Sequence, residues 1–227
     1  MRDINEPSEL PKQRSEGQRW IFYVLESPYH VSANLTKFNG LFNWTSTYSS
    51  ESDIQSPYGI YEPYSSRIGN STPFSKSGKM FEKSRLGAWF VTNCKAQNNR
   101  IEYVDSMKKH MLVDVYGSCG KFKCRDHDFC LDMLKKKYKF YMSFENSNCR
   151  EYITEKFWHN ALEHDILPIV MGAPREDYER LAPPHSFIHV DDFSSAKEMT
   201  RYLKLLNRDK RLYKEYFKWK NSGAVST

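Results

Sequence analysis

The sequence lacks several features that mark common classes of protein. Its 227 residues contain no apolar run near the roughly 20 residues that a membrane-spanning helix needs. The opening segment MRDINEPSEL has no apolar centre of the kind found in signal peptides. The glycine patterns GxGxxG and GxxxxGKS/T are absent, which disfavours NAD-dependent chemistry and P-loop hydrolysis. Taken alone, these absences predict a soluble chain without a targeting segment.

Long runs of one charge are also scarce. The net charge is +6 and the isoelectric point is about 8.9, so an anionic partner is favoured. The basic residues are nevertheless scattered, and they form a run only at Lys135–Lys137. Nucleic-acid binding is therefore not indicated. A hydrophobic content of 39% in a chain of this length is enough for one large domain or two small ones.

Other features indicate the secretory pathway. Three sequons for N-glycosylation begin at Asn34, Asn43 and Asn70, and the last is weakened by the following Pro73. Five cysteines fall within about a quarter of the chain: Cys94, Cys119, Cys124, Cys130 and Cys149. Their spacing does not match a zinc site, which favours disulfides. Because the count is odd, either one thiol is free or its partner lies in a part of the protein outside this chain.

The pattern along the chain predicts two α/β parts. Residues 1–18 form a polar lead-in, 19–62 an N-terminal part, 63–85 a linker and 86–227 a regular C-terminal domain. In the last of these, strands are predicted at 88–92, 112–116, 139–144, 166–171 and 186–190, and helices at 99–110, 129–137, 152–163, 175–181, 196–206 and 209–219. Repeated strand–helix units with apolar strands predict a parallel sheet covered on both faces.

Candidate site residues cluster at the ends of the predicted strands. Glu26 follows an apolar strand at 19–25, and Asn146 follows the strand that carries Tyr141. A helix beginning near Glu151 would attract phosphate, with Lys156 and Arg100 as cations and Glu155 as an acceptor for sugar hydroxyls. The alternative is that Glu26 and the Glu155–Lys156 pair are solvated surface charges. Asp126-His127-Asp128 is interpreted as a charge cluster at a helix N-terminus and not as a metal site.

The string FYMSFENS at 140–147, followed by EYITEKFW at 151–158, resembles the signature of the α1,3-fucosyltransferases, glycosyltransferase family 10. The similarity extends over most of 19–219, including the ESP motif at Glu26 and the string FNWTSTYSSESDIQSPYG. The cysteine pattern is most similar to invertebrate members, including those that fucosylate the N-glycan core. The resemblance implies a GT-B fold, in which a Rossmann-like parallel-sheet domain binds GDP-fucose and an N-terminal α/β domain binds the acceptor.

The resemblance also implies roles for individual residues. Glu26 corresponds to the general base, and Arg100 and Lys156 correspond to the diphosphate contacts. Further donor contacts would come from Tyr141, Asn146 and Glu155, with Thr92 and Asn93 at the strand end that faces the phosphates. The implied reaction is inverting transfer of fucose from GDP-β-L-fucose to O3 of a GlcNAc in a glycoprotein glycan, with no metal or other cofactor. The alternative is a catalytically silent relative that binds a glycan or a nucleotide sugar, or an incomplete fragment.

Family members begin with a membrane anchor and a stem, and their acceptor domain starts well before the ESP motif. This chain starts just before that motif and stops at Thr227. We therefore expect a fragment with a truncated acceptor domain, derived from a Golgi type II membrane protein whose anchor is absent here. The sequence does not choose between core and antennal GlcNAc as the acceptor.

Overall fold

A five-stranded parallel sheet forms the centre of the C-terminal part. The computed structural model describes residues 4–64, 82–124 and 126–227. The strands of this sheet are β5 (Arg85–Phe90), β6 (Val113–Tyr116), β7 (Tyr138–Phe144), β8 (Leu167–Met171) and β9 (Ile188–His189). They lie in the order β6-β5-β7-β8-β9, and all neighbours are parallel. Every residue of β7 and β8 is buried, as the continuous apolar runs predicted.

Helices cover both faces of this sheet. They are α1 (Arg100–Lys108), α2 (His127–Lys137), α3 (Arg175–Leu181), α4 (Ala196–Arg208) and α5 (Lys210–Glu215). One face packs against α1, α4 and α5 through Val104, Met107, Met199, Leu203 and Tyr213. The opposite face packs against α2 through Leu131 and Leu134, and against α3 through Tyr178. The predicted α/β architecture with a doubly covered parallel sheet is confirmed.

The N-terminal part contains a smaller parallel sheet. Its strands are β1 (Ile21–Tyr23), β2 (Trp44–Thr47) and β3 (Ile54–Gln55), in that order. One face is closed by an aromatic group, in which Phe42 packs on Phe22 and Phe38 with ring centroids 5.4 and 6.1 Å apart. Strand β1 ends three residues before Glu26, so this sheet presents the carboxylate.

Two short strands clasp the two parts together. Strand β4 (Ile60–Pro63) follows the small sheet and pairs antiparallel with β10 (Gly223–Ser226) near the C-terminus. The Tyr61 ring packs edge-on against Trp219, with centroids 6.1 Å apart. Gly59 lies just before β4, and a Cβ there would come within 2.5 Å of the Trp158 ring. Only glycine permits this close approach.

Two predicted helices differ from the structure. The helix expected at 152–163 is shorter and irregular: its hydrogen bonds begin at Thr154 O, which accepts from Phe157 N and Trp158 N, and continue into a π-helical turn at Trp158–Leu162. The reason lies in residues before it: Glu151 has a left-handed backbone (φ 57°), and the Glu145 carboxylate accepts the amide of Thr154. The helix expected at 209–219 ends at Glu215 and is followed by a 3-10 turn, Lys218–Asn221. Most of the predicted linker at 63–85 lies outside the described residues, and the domain boundaries stay predictions.

Candidate functional site

The strand order creates a crevice at the carboxyl ends of the strands of the large sheet. The chain runs from β5 outward to β6 and then crosses to β7 on the other side of β5. Ligands of open α/β sheets bind at such a switch point, beyond the carboxyl ends of the strands. Thr92 and Asn93 follow β5, while Glu145 and Asn146 follow β7. The sequence-predicted residues on these two strand ends therefore flank one crevice.

A cavity of about 390 Å³ opens beside this crevice. Its lining includes four of the predicted donor residues, namely Thr92, Tyr141, Glu155 and Lys156. Tyr141 is fully buried, and its hydroxyl accepts a hydrogen bond from Asn160 Nδ2 at 3.3 Å. Burial raises the pKa of Tyr141 to about 12, so the phenol stays neutral. The cavity thus has aromatic walls and one cationic corner.

Lys156 forms the cationic corner. Its Nζ donates to Thr154 Oγ1 at 2.8 Å and to the carboxylates of Glu145 and Glu155, each at 3.1 Å. Burial opposes its charge, but these two carboxylates raise the pKa of Lys156 above its ordinary value. Glu155 is the exposed partner and Glu145 the buried one. An incoming phosphate would therefore displace Glu155 more easily than Glu145.

Glu145 organises the turn beneath Lys156, and the sequence reasoning did not assign it a role. Its carboxylate is fully buried and accepts from Thr154 N at 2.8 Å and Thr154 Oγ1 at 2.9 Å. Gly172 lies against it with φ 146°, and a Cβ there would come within 2.7 Å of the Glu145 side chain. The available signal was an acidic residue directly after a strand rich in aromatic residues. Such a residue needs a buried cation, which Lys156 supplies.

Helical hydrogen bonds begin at Thr154, three residues after the predicted start near Glu151, and phosphate binding at this helix N-terminus stays a prediction. Residues 152–154 are extended or irregular, and the fixed positive charge of Lys156 is the cationic feature of this turn. Side-chain contacts of Thr154 to the Glu145 carboxylate hold the residue at which this first helical turn begins.

Arg100 lies behind the crevice. Its guanidinium is buried and donates to the carbonyl oxygens of Phe144 at 2.9 Å and Asn93 at 2.8 Å. Burial lowers its pKa. The residue joins the ends of β5 and β7, and thereby shapes the switch point. Its Nε has no hydrogen-bond partner among the described residues. The diphosphate contact predicted for Arg100 stays a prediction.

Glu26 faces the crevice from the small sheet. Its Oε1 accepts from Tyr152 Oη at 2.7 Å, from Ser27 N at 2.8 Å and from Asn146 Nδ2 at 3.2 Å. Burial raises the pKa of Glu26, but these hydrogen bonds outweigh it and lower the pKa below its ordinary value. All three of these hydrogen bonds, which come from described residues, go to Oε1 and leave Oε2 available. The structure thus presents an ionised carboxylate with one open oxygen.

Tyr152 was missed as a site residue, although it lies inside the signature string. It is buried and directly contacts Glu26, which is 126 positions earlier in the chain. Tyr48 and Tyr58 pack on its ring, with centroids 5.0 and 6.3 Å away. Local pattern carries no signal for such a contact. A tyrosine inside a stretch already assigned to the donor site was the available hint.

Two disulfides form, Cys94–Cys119 and Cys124–Cys130, and Cys149 is a free thiol. Asp126 caps α2 by accepting from Phe129 N at 2.7 Å, which agrees with the charge-cluster interpretation. Among the residues that the structure describes, no group of three potential metal ligands occurs. No helix in those ranges is long and apolar enough to cross a membrane.

The glycosylation candidates divide between described and undescribed segments. Asn34 is exposed, and its Oδ1 accepts from its own sequon residue Thr36. Asn43 is also exposed, and its Oδ1 accepts from Trp20 N at 3.0 Å. Asn70 lies outside the described residues. The use of these sequons stays a prediction.

Comparison with known proteins gives consistent matches. The sequence model described as "Glycosyltransferase family 10 (fucosyltransferase) C-term" matches residues 80–227, and "Fucosyltransferase, N-terminal" matches residues 1–59. Glycoprotein 3-alpha-L-fucosyltransferase A of Drosophila melanogaster is 44% identical over 96% of this chain and 43% of its own length. The 4-galactosyl-N-acetylglucosaminide 3-alpha-L-fucosyltransferase FUT6 of Homo sapiens is 42% identical over 96% of this chain and 58% of its own. The chain therefore spans about half the length of these relatives.

Solved structures match as well. The crystal structure of an alpha1,3-fucosyltransferase with GDP-fucose has a TM-score of 0.63 and 21% identity, covering 89% of this chain and 67% of that one. A structure of an alpha1,3-fucosyltransferase with GDP has a TM-score of 0.60 and 22% identity, covering 86% and 64%. At these identities the matches establish the shared GT-B fold.

Proposed function

The chain belongs to glycosyltransferase family 10, the fucosyltransferases, and we propose that its protein transfers fucose from GDP-β-L-fucose to O3 of a GlcNAc in glycoprotein glycans. One observation supports this above the others. The open carboxylate of Glu26 contacts Asn146 and Tyr152 at the turn whose next residues hold the Lys156 cation. A base and a cation for the leaving group thus adjoin the same switch-point crevice.

The proposed reaction inverts the configuration at fucose C1. Oε2 of Glu26 takes the proton from the acceptor O3 as that oxygen attacks C1. The bond from C1 to the phosphate oxygen breaks, and its electron pair leaves with GDP. Lys156 stabilises the charge that develops on the diphosphate, after exchanging Glu155 for a phosphate oxygen. Asn146 and Tyr152 keep the other oxygen of Glu26 occupied, which directs the proton to Oε2.

We propose that neither a metal nor another cofactor is required. Lys156 is a fixed cation held by a buried carboxylate, and a fixed cation can stabilise a leaving diphosphate without reorganisation. Arg100 is the second proposed cation, and Tyr141, Thr92 and Asn93 complete the proposed donor contacts. Glu155, once displaced from Lys156, would accept hydroxyl hydrogens of the nucleotide sugar.

For the whole protein we propose the lumenal side of the Golgi apparatus and a glycan acceptor. Both rest on the family. The disulfides Cys94–Cys119 and Cys124–Cys130 agree with an oxidising compartment. A catalytically silent relative, the alternative, would keep the donor cavity but bury or misplace Glu26. The exposed position of Glu26 at the crevice favours an active enzyme.

Replacement of the base tests this function. With the protein expressed from its complete gene, Glu26→Gln should lower kcat by about 10²- to 10⁴-fold, the usual contribution of a general base. GDP affinity should stay within about twofold, because the amide keeps the shape of the side chain. Fucose transfer to a GlcNAc-terminated glycopeptide and GDP binding by calorimetry are the measurements. Transfer at the wild-type rate by Glu26→Gln would refute the base assignment.

A further inference from the structure

Glu151 occupies an unusual position where the two parts of the chain meet. Its backbone lies in the left-handed region (φ 57°), which disfavours residues other than glycine, asparagine and aspartate. Its side chain is buried, with only 8% of its surface exposed. A strained backbone and a buried carboxylate persist only where surrounding contacts hold them. Glu151 lies next to Tyr152 but contacts no donor-lining residue of the cavity described above.

The contacts of Glu151 come mainly from the segment between β2 and β3. Ser50 donates to it twice, from its amide at 2.6 Å and from its hydroxyl at 2.6 Å, and Ser49 Oγ donates at 3.2 Å. Arg180 of α3 forms an ion pair with the same carboxylate. Burial alone would raise the pKa of Glu151, but these hydrogen bonds lower it to about 2. The carboxylate is therefore charged at any pH at which the enzyme works.

These contacts complete a ring that contains the base. From Ser50 the chain leads back to β2, where Ser46 O accepts from Val24 N at 3.1 Å, two residues before Glu26. In the other direction, Tyr152 follows Glu151 and donates to Glu26 at 2.7 Å. The small sheet and the donor turn are thus tied through Glu151 and through Glu26 itself, in addition to the packing of Tyr48 and Tyr58 on the Tyr152 ring.

We propose that Glu151 is a positioning residue, which anchors Ser49 and Ser50 to the donor turn and so keeps Glu26 within hydrogen-bond distance of Tyr152. This inference rests on the function proposed above. Glu151 does not touch the reacting atoms and acts only through the segment 48–52 and its neighbour Tyr152. The other contact that holds the Glu26 backbone, Tyr58 Oη to Leu25 O at 2.7 Å, fixes its main chain and leaves its side chain free to turn.

The pKa of Glu26 provides a measurement that tests this positioning role. Among the described residues, the ionisable groups that face Glu26 are His30 on its own loop, Tyr48 and Tyr58 from the N-terminal part, and Tyr152 from the donor turn. The Tyr152 hydrogen bond lowers the pKa of Glu26. If release of Glu151 separates Tyr152 from Glu26, that pKa rises. The acid limb of kcat/KM, which needs ionised Glu26, then moves to higher pH.

Three variants test the proposal in the protein expressed from its complete gene. Glu151→Gln keeps the side-chain size but removes the charge, and Glu151→Asp keeps the charge. Glu179→Gln is the control, because Glu179 forms an exposed ion pair with Arg175 on α3, away from the donor turn. The measurements are kcat, the KM for GDP-fucose, the pH profile of kcat/KM, and GDP affinity by calorimetry.

We expect kcat of Glu151→Gln to fall about tenfold, the equivalent of one charge-assisted hydrogen bond. Its acid limb should move to higher pH, while the GDP affinity and the KM for GDP-fucose stay within about twofold of wild type. Glu151→Asp should recover most of the rate, and Glu179→Gln should match wild type in all four measurements. A GDP affinity near that of wild type also shows that the large sheet of the variant is folded.

Two results would overturn the proposal. One is an unchanged kcat and acid limb in Glu151→Gln. The other is a loss of kcat and GDP affinity together, which would indicate that Glu151 supports the donor cavity and not the base. Failure of the proposed function would look different, because the wild-type protein itself would then bind GDP without transferring fucose.

Discussion

The two parallel sheets of this protein differ in how their faces are covered. The five-stranded sheet is covered on both faces, and β7 and β8 have no exposed residue. Within the described residues, the three-stranded sheet is covered on one face only. Its other face presents Ile21, Tyr23, Trp44 and Ile54, each exposed by 40–43%. The proposed donor cavity therefore rests on a packed core, whereas Glu26, the proposed base, follows a sheet that is held in place mainly by contacts to its neighbour.

Because of this difference, we expect substitutions in different places to affect the free energy of unfolding and the rate of catalysis separately. A change in the large sheet should lower the free energy of unfolding, because most of the buried apolar surface lies there. A change at the joint between the sheets should leave folding nearly intact, but should move Glu26 relative to the donor turn. The following predictions test that separation.

The largest effect is expected for Phe140→Ala. Phe140 lies in the middle of β7, is fully buried, and packs edge-on against Tyr213 with centroids 5.8 Å apart. Its truncation should lower the free energy of unfolding by about 3–5 kcal/mol. Urea unfolding followed by tryptophan fluorescence is the measurement. Ile21→Ala in β1 is the matched control and should cost about 1 kcal/mol or less, because Ile21 is 43% exposed. Equal costs for the two changes would remove the distinction between the sheets.

A second prediction concerns Lys156→Met. Loss of this charge should weaken GDP binding by about 10- to 100-fold, since a hydrogen bond to a charged group contributes about 1.5–3 kcal/mol. It should also destabilise the fold, because Glu145 would be left as a buried carboxylate without its cation. Calorimetric GDP titration and urea unfolding measure the two effects.

The double variant Glu145→Gln/Lys156→Met separates these two effects of Lys156. It removes the unpaired charge, so the unfolding free energy should recover in part while GDP affinity stays low. Lys136→Met, which removes an exposed ion pair with Asp132, should change neither quantity. Recovery of GDP affinity in the double variant would contradict a direct role of Lys156 in donor binding.

The smallest effect is expected for Tyr152→Phe. The change deletes the 2.7 Å hydrogen bond to Glu26 and leaves the aromatic packing with Tyr48 intact. Because that bond lowers the pKa of Glu26, its loss raises the pKa, and the base becomes protonated at a higher pH. The acid limb of kcat/KM should move to higher pH, and kcat should fall about tenfold or less.

Unfolding of Tyr152→Phe should differ from wild type by about 1 kcal/mol at most. Tyr216→Phe loses a hydroxyl contact with Tyr202 far from the crevice and is the control. Its pH profile should coincide with that of wild type. A Tyr152→Phe profile that also coincides with wild type would show that Glu26 does not depend on the donor turn.

The same contrast explains what could be predicted from the sequence. Strands such as β7 and β8 are visible as continuous apolar runs, and their alternation with α1 to α4 identifies the parallel sheet. The late and irregular start of the helix expected at 152–163 could not be foreseen, because it depends on a contact of Thr154 with Glu145, a residue of the preceding strand end. Local propensity does not include such tertiary contacts.

The site residues divide in the same way, into those that the sequence pattern reveals and those that depend on tertiary contacts. Glu26, Asn146 and Lys156 follow recognisable strand ends or belong to a recognisable signature. Tyr152 and Glu145 act through partners that only the folded chain brings near them, and Arg100 is buried against backbone carbonyls that no sequence pattern reveals.

The clasp between β4 and β10 has a consequence for how the protein reaches its native state. Strand β4 leaves the ribosome soon after the small sheet, but β10 follows every strand and helix of the large sheet. Pairing strands so far apart in sequence requires closing a very long loop, which is slow until the intervening chain has folded. The large sheet can therefore form during synthesis before the pairing of β4 with β10 fixes the small sheet against it. In the nascent chain, the proposed donor cavity would therefore form before Glu26 reaches its place beside Tyr152.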